Sequence, residues 1–338
     1  MRAAFLYGKE DIRVEEVELP SVEAHGLRIK VLACGICGSD ARMYFTGPTP
    51  RYISPVILGH EVAGQVVEVG PQAEGYAPGD LVTLAPLIPC MRCPACSRGQ
   101  DNLCQQAQVI GCTVHGGMAE FITVPSQMVL AGGVAKLPPA VSHRAGALTE
   151  LLGCCLHGLL EIGVTLGDRM LVIGDGPIGL TFLQLARRMG AAYVATSGRR
   201  PPRRALAEEL GADEALDAEA VDLQDKFGQS LDRVIVAAAD IEVTARAASL
   251  LRPGGNLLLF SGYTYGTALP LDVNAVHYRE LHIHGSIDCT IRDFRMAAQL
   301  LPQLQMEKLI TASFPLEQVQ EAFHASRNRD AIKVVIEP

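Results

Sequence analysis

The sequence predicts an α/β protein in two parts, a β-rich region followed by a doubly wound parallel sheet, and three observations carry that prediction. Over roughly the first 135 residues, short runs alternate apolar and polar side chains, as in Arg13-Val14-Glu15-Glu16-Val17 and Leu27-Arg28-Ile29-Lys30-Val31, the pattern of half-buried strands. From about residue 142, helix-length and strand-length segments alternate instead, as βαβ units on a parallel sheet require. A glycine fingerprint, Gly-Asp-Gly-Pro-Ile-Gly at 174–179, falls directly after the first strand of that second region and opens a helix.

The elements follow in order. Cys37, flanked by Gly35 and Gly38, marks a tight turn into a short helix after the opening strands. Leu58–Gly64, the strand-like run 66–70 and Gly79–Pro86 continue the β region. Residues 144–163 read as a helix, Arg169–Gly174 as a buried strand, Pro177–Met189 as a helix, Ala192–Ser197 as a strand and Pro201–Leu210 as a helix. Asp232–Ala238 is a strand, 240–251 a helix, Arg252–Gly255 a turn and Asn256–Gly262 a strand. The tail from 291 reads as a helix, a second helix at 315–326 and a closing strand, Ile332–Glu337.

Composition narrows the function classes. With 49% hydrophobic against 20% charged residues, the 338-residue chain has ample material for packed cores, and disorder is excluded. Its formal charge of −8 argues against nucleic acid and leaves small-molecule chemistry as the default. The first twenty residues carry charges where a secretory leader has its apolar core. No apolar run is long enough to span a bilayer, the best candidate, from Met170, being broken by Asp175. Ten cysteines, several in a metal-like spacing, suit the reducing cytoplasm.

The densest chemical signal is Pro89–Cys104, where Cys90, Cys93, Cys96 and Cys104 fall on one turn-rich loop. Structural zinc takes four thiolate or imidazole ligands in a tetrahedron, and cysteines so spaced can face one centre without straining the backbone. Buried or disulfide-paired cysteines are the alternative reading, which so tight a cluster disfavours. Four thiolates leave no open position, so this loop stabilises and the chemistry lies elsewhere.

Two features carry that chemistry. In the fingerprint, Gly174, Gly176 and Gly179, with Pro177 and Ile178 between them, let the backbone approach a pyrophosphate at a helix N-terminus; a merely structural β–α turn is the alternative. The other feature is scattered: Cys37, His60, Glu61 and Glu150, any one of which alone reads more naturally as a core residue. A catalytic zinc needs about three protein ligands and one open position.

With these segments the chain resembles the medium-chain, zinc-dependent alcohol dehydrogenases, in the branch of sorbitol, galactitol-phosphate and threonine dehydrogenases. The matching segments are Gly35–Asp40, Gly59–Gly64, the four-cysteine loop, Gly116–Phe121, Thr149–Leu159, Gly174–Gly179 and Arg252–Gly255, and they run nearly end to end. The resemblance implies a GroES-like catalytic domain at 1–150 and 286–338, a Rossmann domain at 151–285, and a homodimer or homotetramer. It further implies two zinc ions per chain. Cys37 and His60 match the catalytic ligands, with Glu61 and Glu150 as further carboxylates at the metal. Ser39 matches the hydroxyl that passes the alcohol proton, and Asp40 a position that orients His60 or the substrate side. Two departures matter. Where relatives often carry a relay histidine this chain has Arg42, which cannot accept a proton, so the relay ends on a ribose hydroxyl, a water or His157. Leu151 replaces the usual proline after the glutamate, which leaves the placement of Glu150 open.

The expected activity is hydride transfer between a secondary alcohol (a polyol, sugar or cyclitol) or its ketone and a nicotinamide cofactor. A threonine dehydrogenase or a simple ketone reductase is the alternative among enzymes, and a catalytically silent binding protein the alternative of another class. NADP is expected over NAD. NAD-type enzymes end the second strand of the fold in a carboxylate about 20 residues past the fingerprint. Here that position is Gly198, followed by Arg199, Arg200, Arg203 and Arg204, and guanidinium groups pair well with a 2′-phosphate.

Overall fold

The computed structural model describes residues 1–328 and 331–338, in two compact units, Met1–Gly153 with Asp288–Pro338, and Cys154–Ile287. In the first unit the alternating sequence of the opening region becomes antiparallel sheet. Its larger sheet runs Val134–Lys136, Leu81–Leu84, Glu61–Val69, Leu27–Gly35, Lys333–Glu337 and Ile310–Pro315, with Phe121–Val124 also paired to Leu27–Gly35. The centre of this sheet sets the chemistry. Gly35 faces Glu61 on one side and Val335 on the other, so the closing strand of the chain lies next to residues from its start. The inward side chains of Leu27, Ile29, Val31 and Ala33 are fully buried, at period two, as a half-buried strand demands.

The second unit is a six-stranded parallel sheet in the order Glu214–Asp217, Tyr193–Gly198, Arg169–Ile173, Leu231–Val236, Leu251–Leu259 and His282–Gly285. Numbered along the chain this is 3-2-1-4-5-6, the doubly wound order, and the fingerprint follows the first strand at the point where the order reverses. Leu171, Ala195, Val234 and Leu257 are buried on one face and Val172, Ile235 and Leu258 on the other, as parallel strands covered on both faces require. Among the described residues no helix is long and apolar enough to cross a membrane.

Three local readings change. The helix expected over 144–163 is two helices, His143–Ala147 and Thr149–Glu161, because Leu148 leaves helical geometry and the Thr149 hydroxyl takes the Gly146 carbonyl at 2.6 Å. The segment Arg252–Gly255 lies inside the strand Leu251–Leu259, whose pairing shifts register at that point. The short strands Glu214–Asp217, His282–Gly285 and Ile310–Pro315 carry too few apolar positions to stand out in sequence and form because neighbouring strands offer them a partner.

Candidate active site

The four-cysteine loop builds itself from local sequence. Met91 and Gly99 adopt φ of 58° and 72°, turning the chain on either side of the short helix Pro94–Ser97, which Pro94 starts and Cys93 caps. Cys93 Sγ lies 3.5 Å from Cys96 Sγ and 3.8 Å from Cys104 Sγ, and Cys90 Sγ lies 4.0 Å from Cys96 Sγ. A tetrahedron of sulfurs at about 2.3 Å from zinc has edges of about 3.8 Å, so this donor set fits a zinc ion. Cys90, Cys93, Cys96 and Cys104 form no disulfide, which disfavours the disulfide alternative. The backbone N–H of Cys96 draws the Cys93 thiol down to about 6, whereas burial and its neighbouring sulfurs push Cys96 up to about 12. Four thiolates this close repel one another unless a cation joins them.

The second donor set is assembled from a helix cap and the start of a strand. Cys37 caps the helix Gly38–Thr46, His60 directly precedes the strand Glu61–Val69, and Glu61 begins it. One ligand atom from each of Cys37, His60 and Glu61 lies within 4.8 Å of the others, and among the described residues no fourth His, Cys, Asp or Glu joins this three-donor set. Asp40, nearly fully buried, stands behind them. Its carboxylate accepts the N–H of Cys37 at 2.9 Å and of Gly59 at 3.3 Å, and faces His60 Nδ1 at 3.5 Å. Burial alone would raise the Asp40 carboxyl, but His60 and the two N–H groups hold it low. Burial would likewise lower His60, yet Asp40 and Cys37 raise it well above the ordinary histidine value. With Nδ1 committed to Asp40, Nε2 is the nitrogen free for a metal, and both ring direction and tautomer are fixed from behind.

Lys333, which sequence reasoning missed, completes the set. It is 4% exposed, and its ammonium donates to Glu61 Oε1 at 2.5 Å. Desolvation lowers a buried lysine, but Glu61 and then Cys37 outweigh it, and the Lys333 pKa is raised. Glu61 Oε2 has no hydrogen-bond partner and packs over Gly35, where a Cβ would come within 2.0 Å of it. A buried carboxylate with one oxygen tied to a cation and the other left unpaired has room in its bonding for a metal. The signal in sequence was a lysine at the start of a closing strand whose next three residues, Val334, Val335 and Ile336, are apolar.

The remaining expected residues divide. Ser39 lies half-buried in the first turn of the helix after Cys37, and Arg42 is exposed on the same helix. Glu150 is buried in the first turn of Thr149–Glu161 and acts on Lys333 electrostatically, but it is outside the three-donor set. His157 is buried on the part of that helix belonging to the second unit.

In that second unit, Gly176 caps the helix Pro177–Arg188, and a Cβ built on it would meet nothing within 4 Å. That open space beside unpaired helix N–H groups is what a pyrophosphate needs. Gly179 serves packing: a Cβ there would lie 1.9 Å from the Gly174 carbonyl oxygen. The arginines past Gly198 are not equivalent. Arg203 Nη1 faces Asp175 at 3.8 Å, and Arg204 pairs with Asp217 at 2.9 Å and donates to the Gly198 carbonyl at 3.2 Å. Arg199 makes only long, exposed contacts with Asp240 and Glu219, and Arg200 caps the helix Pro201–Glu209.

Against known proteins, residues 23–138 match the alcohol dehydrogenase GroES-like domain and residues 177–303 the zinc-binding dehydrogenase domain. Over 340 residues the chain is 31% identical to D-arabitol-phosphate dehydrogenase of Enterococcus avium, covering 98% of this chain and 95% of that protein. Sorbitol dehydrogenase of Bombyx mori is 29% identical over 344 residues, covering 99% and 97%. A zinc-binding dehydrogenase of Sinorhizobium meliloti 1021, solved bound to NADP, superposes with a TM-score of 0.93 at 32% identity over 100% of this chain and 99% of that one.

Proposed function

This chain belongs to the medium-chain, zinc-dependent alcohol dehydrogenase family, in its polyol branch, and on that premise we propose that it transfers a hydride between a secondary alcohol and NADP. The alcohol is a polyol, sugar or cyclitol. The observation that carries this reading is the open set of Cys37, His60 and Glu61, backed by Asp40 and Lys333, in a chain that also holds a closed set of four cysteines. Names of relatives that act on arabitol phosphate and sorbitol support the substrate class, and the NADP-bound neighbour supports the cofactor.

One zinc belongs at Cys37, His60 and Glu61, and a second at Cys90, Cys93, Cys96 and Cys104. Zinc held there would supply Lewis acidity toward the alcohol oxygen, and a nicotinamide cofactor would supply the hydride acceptor. The chain's own residues do the rest. Asp40 keeps the His60 ring oriented, and Lys333 offsets the charge of Glu61. Ser39 would take the alcohol proton, and Arg42, exposed and unable to accept one, is not the group that receives it next. Gly174, Gly176 and Gly179, with Pro177 and Ile178, hold the pyrophosphate, and Arg199 and Arg200 face the 2′-phosphate. We place this reaction in the cytoplasm, on a homodimer or homotetramer.

The test is metal analysis of the purified protein together with initial rates on polyols, polyol phosphates, simple secondary alcohols and threonine, followed as nicotinamide absorbance with each cofactor. Two zinc ions per chain and the fastest turnover on a polyol or its phosphate are expected. Threonine or a simple ketone as the best substrate selects the alternative dehydrogenase reading. Full metal content with no turnover on any compound selects a silent binding protein.

A further inference from the structure

The sequence carries glycine where NAD-type chains end their second strand in a carboxylate, which reads as a missing acid. The structure holds a carboxylate against that position nonetheless. A Cβ built on Gly198 would lie 2.2 Å from Asp175 Oδ2 and 2.3 Å from both Cβ and Cγ of Asp175. The side chain of Asp175, from the second position of the fingerprint, therefore occupies the volume in which a strand-end side chain would begin. Asp175 is 9% exposed, and its Oδ2 accepts the N–H of Arg200 at 3.0 Å while Oδ1 faces Arg203 Nη1 at 3.8 Å.

We propose that Asp175 is the positioning residue that sets cofactor specificity: the acid of the adenosine site has moved from the strand end to the fingerprint loop, where Arg203 covers it. The inference rests on the NADP reading given above. Three consequences follow from the geometry. No L side chain fits at 198 while Asp175 is present. The Arg200 N–H is tied down, which fixes the turn that presents Arg199 and Arg200. The guanidinium of Arg203, with Nη1 at 3.8 Å from Oδ1, is drawn toward Asp175 in competition with a 2′-phosphate, and the Asp175 charge itself opposes that phosphate. The chain thus discriminates between the two cofactors less sharply than its four arginines suggest.

Asparagine at 175 keeps the shape and an acceptor for the Arg200 N–H but removes the charge that draws Arg203. The experiment is fluorescence titration of NADPH and NADH, with thermal melting, on the full zinc-loaded chain in four forms: wild type, Asp175→Asn, Gly198→Asp, and Asp175→Gly with Gly198→Asp. The Asn variant should raise the preference for NADPH over NADH about tenfold, chiefly through tighter NADPH, the size expected for one released guanidinium–phosphate contact. Gly198→Asp alone should melt lower and lose both cofactors. The double variant, in which the acid returns to the strand end, should regain the wild-type melting temperature and bind NADH the tighter. An unchanged cofactor ratio in the Asn variant, or a Gly198→Asp protein that binds NADH as well as the double variant does, overturns the proposal. A wild type that binds neither reduced cofactor overturns the NADP reading beneath it, and so the two failures are told apart.

Discussion

The two metal-donor sets of the first unit differ in how they are made. Cys90, Cys93, Cys96 and Cys104 come from one loop, with sulfurs 3.5–4.0 Å apart and no position left over. Cys37, His60 and Glu61 come from a helix cap and the start of a strand, number three rather than four among the described residues, and have Asp40 against His60 and Lys333 against Glu61. A closed set contributes its binding energy to the fold, whereas an open one has an unused position to offer a substrate. On the proposed roles, a structural and a catalytic metal would differ here in the surrounding charge, a buried aspartate and a buried lysine, as much as in the ligands.

The largest effects should separate the two sets outright. Cys37→Ala should lose about one zinc per chain and lower turnover by on the order of 10³-fold while melting near wild type, because removal of even one electrostatic donor at a reacting oxygen costs that much. Cys93→Ser should lose the other zinc and unfold at markedly lower temperature, since structural zinc supplies folding free energy directly. Metal content and melting curves of both variants check the pair, and a Cys37→Ala protein that aggregates without either metal would refute the division of roles.

Lys333 sharpens the comparison from the side of charge. In the zinc-free protein Lys333→Met strands Glu61 as an unpaired buried carboxylate and should cost about 3–5 kcal/mol in denaturant unfolding. Lys333→Met combined with Glu61→Gln should recover most of that loss, because the pair is then replaced by neutral groups of similar size. If the single variant is as stable as the double, the pair has no electrostatic role.

Ser39→Ala should lower turnover roughly 10²-fold, the contribution of a positioned proton-transfer group, while Arg42→Ala should leave the pH–rate curve where it is. A displaced curve for Arg42→Ala would put that arginine in the proton path. The smallest effect concerns the other ion pair of the closing strand. Glu337 accepts from Arg144 Nε at 2.9 Å and Nη2 at 2.7 Å, and this bidentate pair holds its carboxyl below the usual value despite burial. A lowered folded pKa gives stability that is present above the unfolded value of about 4.5 and disappears as pH falls through the lowered one. Because the pair is part-exposed, it should be worth about 0.5–1 kcal/mol near neutrality. Thermal melts of wild type and Glu337→Gln should differ at pH 7 and converge as the pH falls through the lowered carboxyl value.

The sequence by itself determined the features whose parts lie close together along the chain. The four cysteines fall within one loop, the fingerprint within six residues, and Cys37 with Asp40 within one helical turn, so short-range geometry could place them before any sheet was known. Strand and helix alternation likewise fixed the doubly wound second unit, because apolar periodicity is a local property. Only the tertiary structure decided the rest. It brought Lys333 to Glu61 across 272 residues of chain, because the strand Lys333–Glu337 pairs beside Leu27–Gly35. It chose Glu61 over Glu150 for the three-donor set, and it folded Asp175 into the space that Gly198 leaves. In each case the deciding quantity is the register between strands or the overlap of two side-chain volumes, and neither has a signature in the order of residues along a single segment.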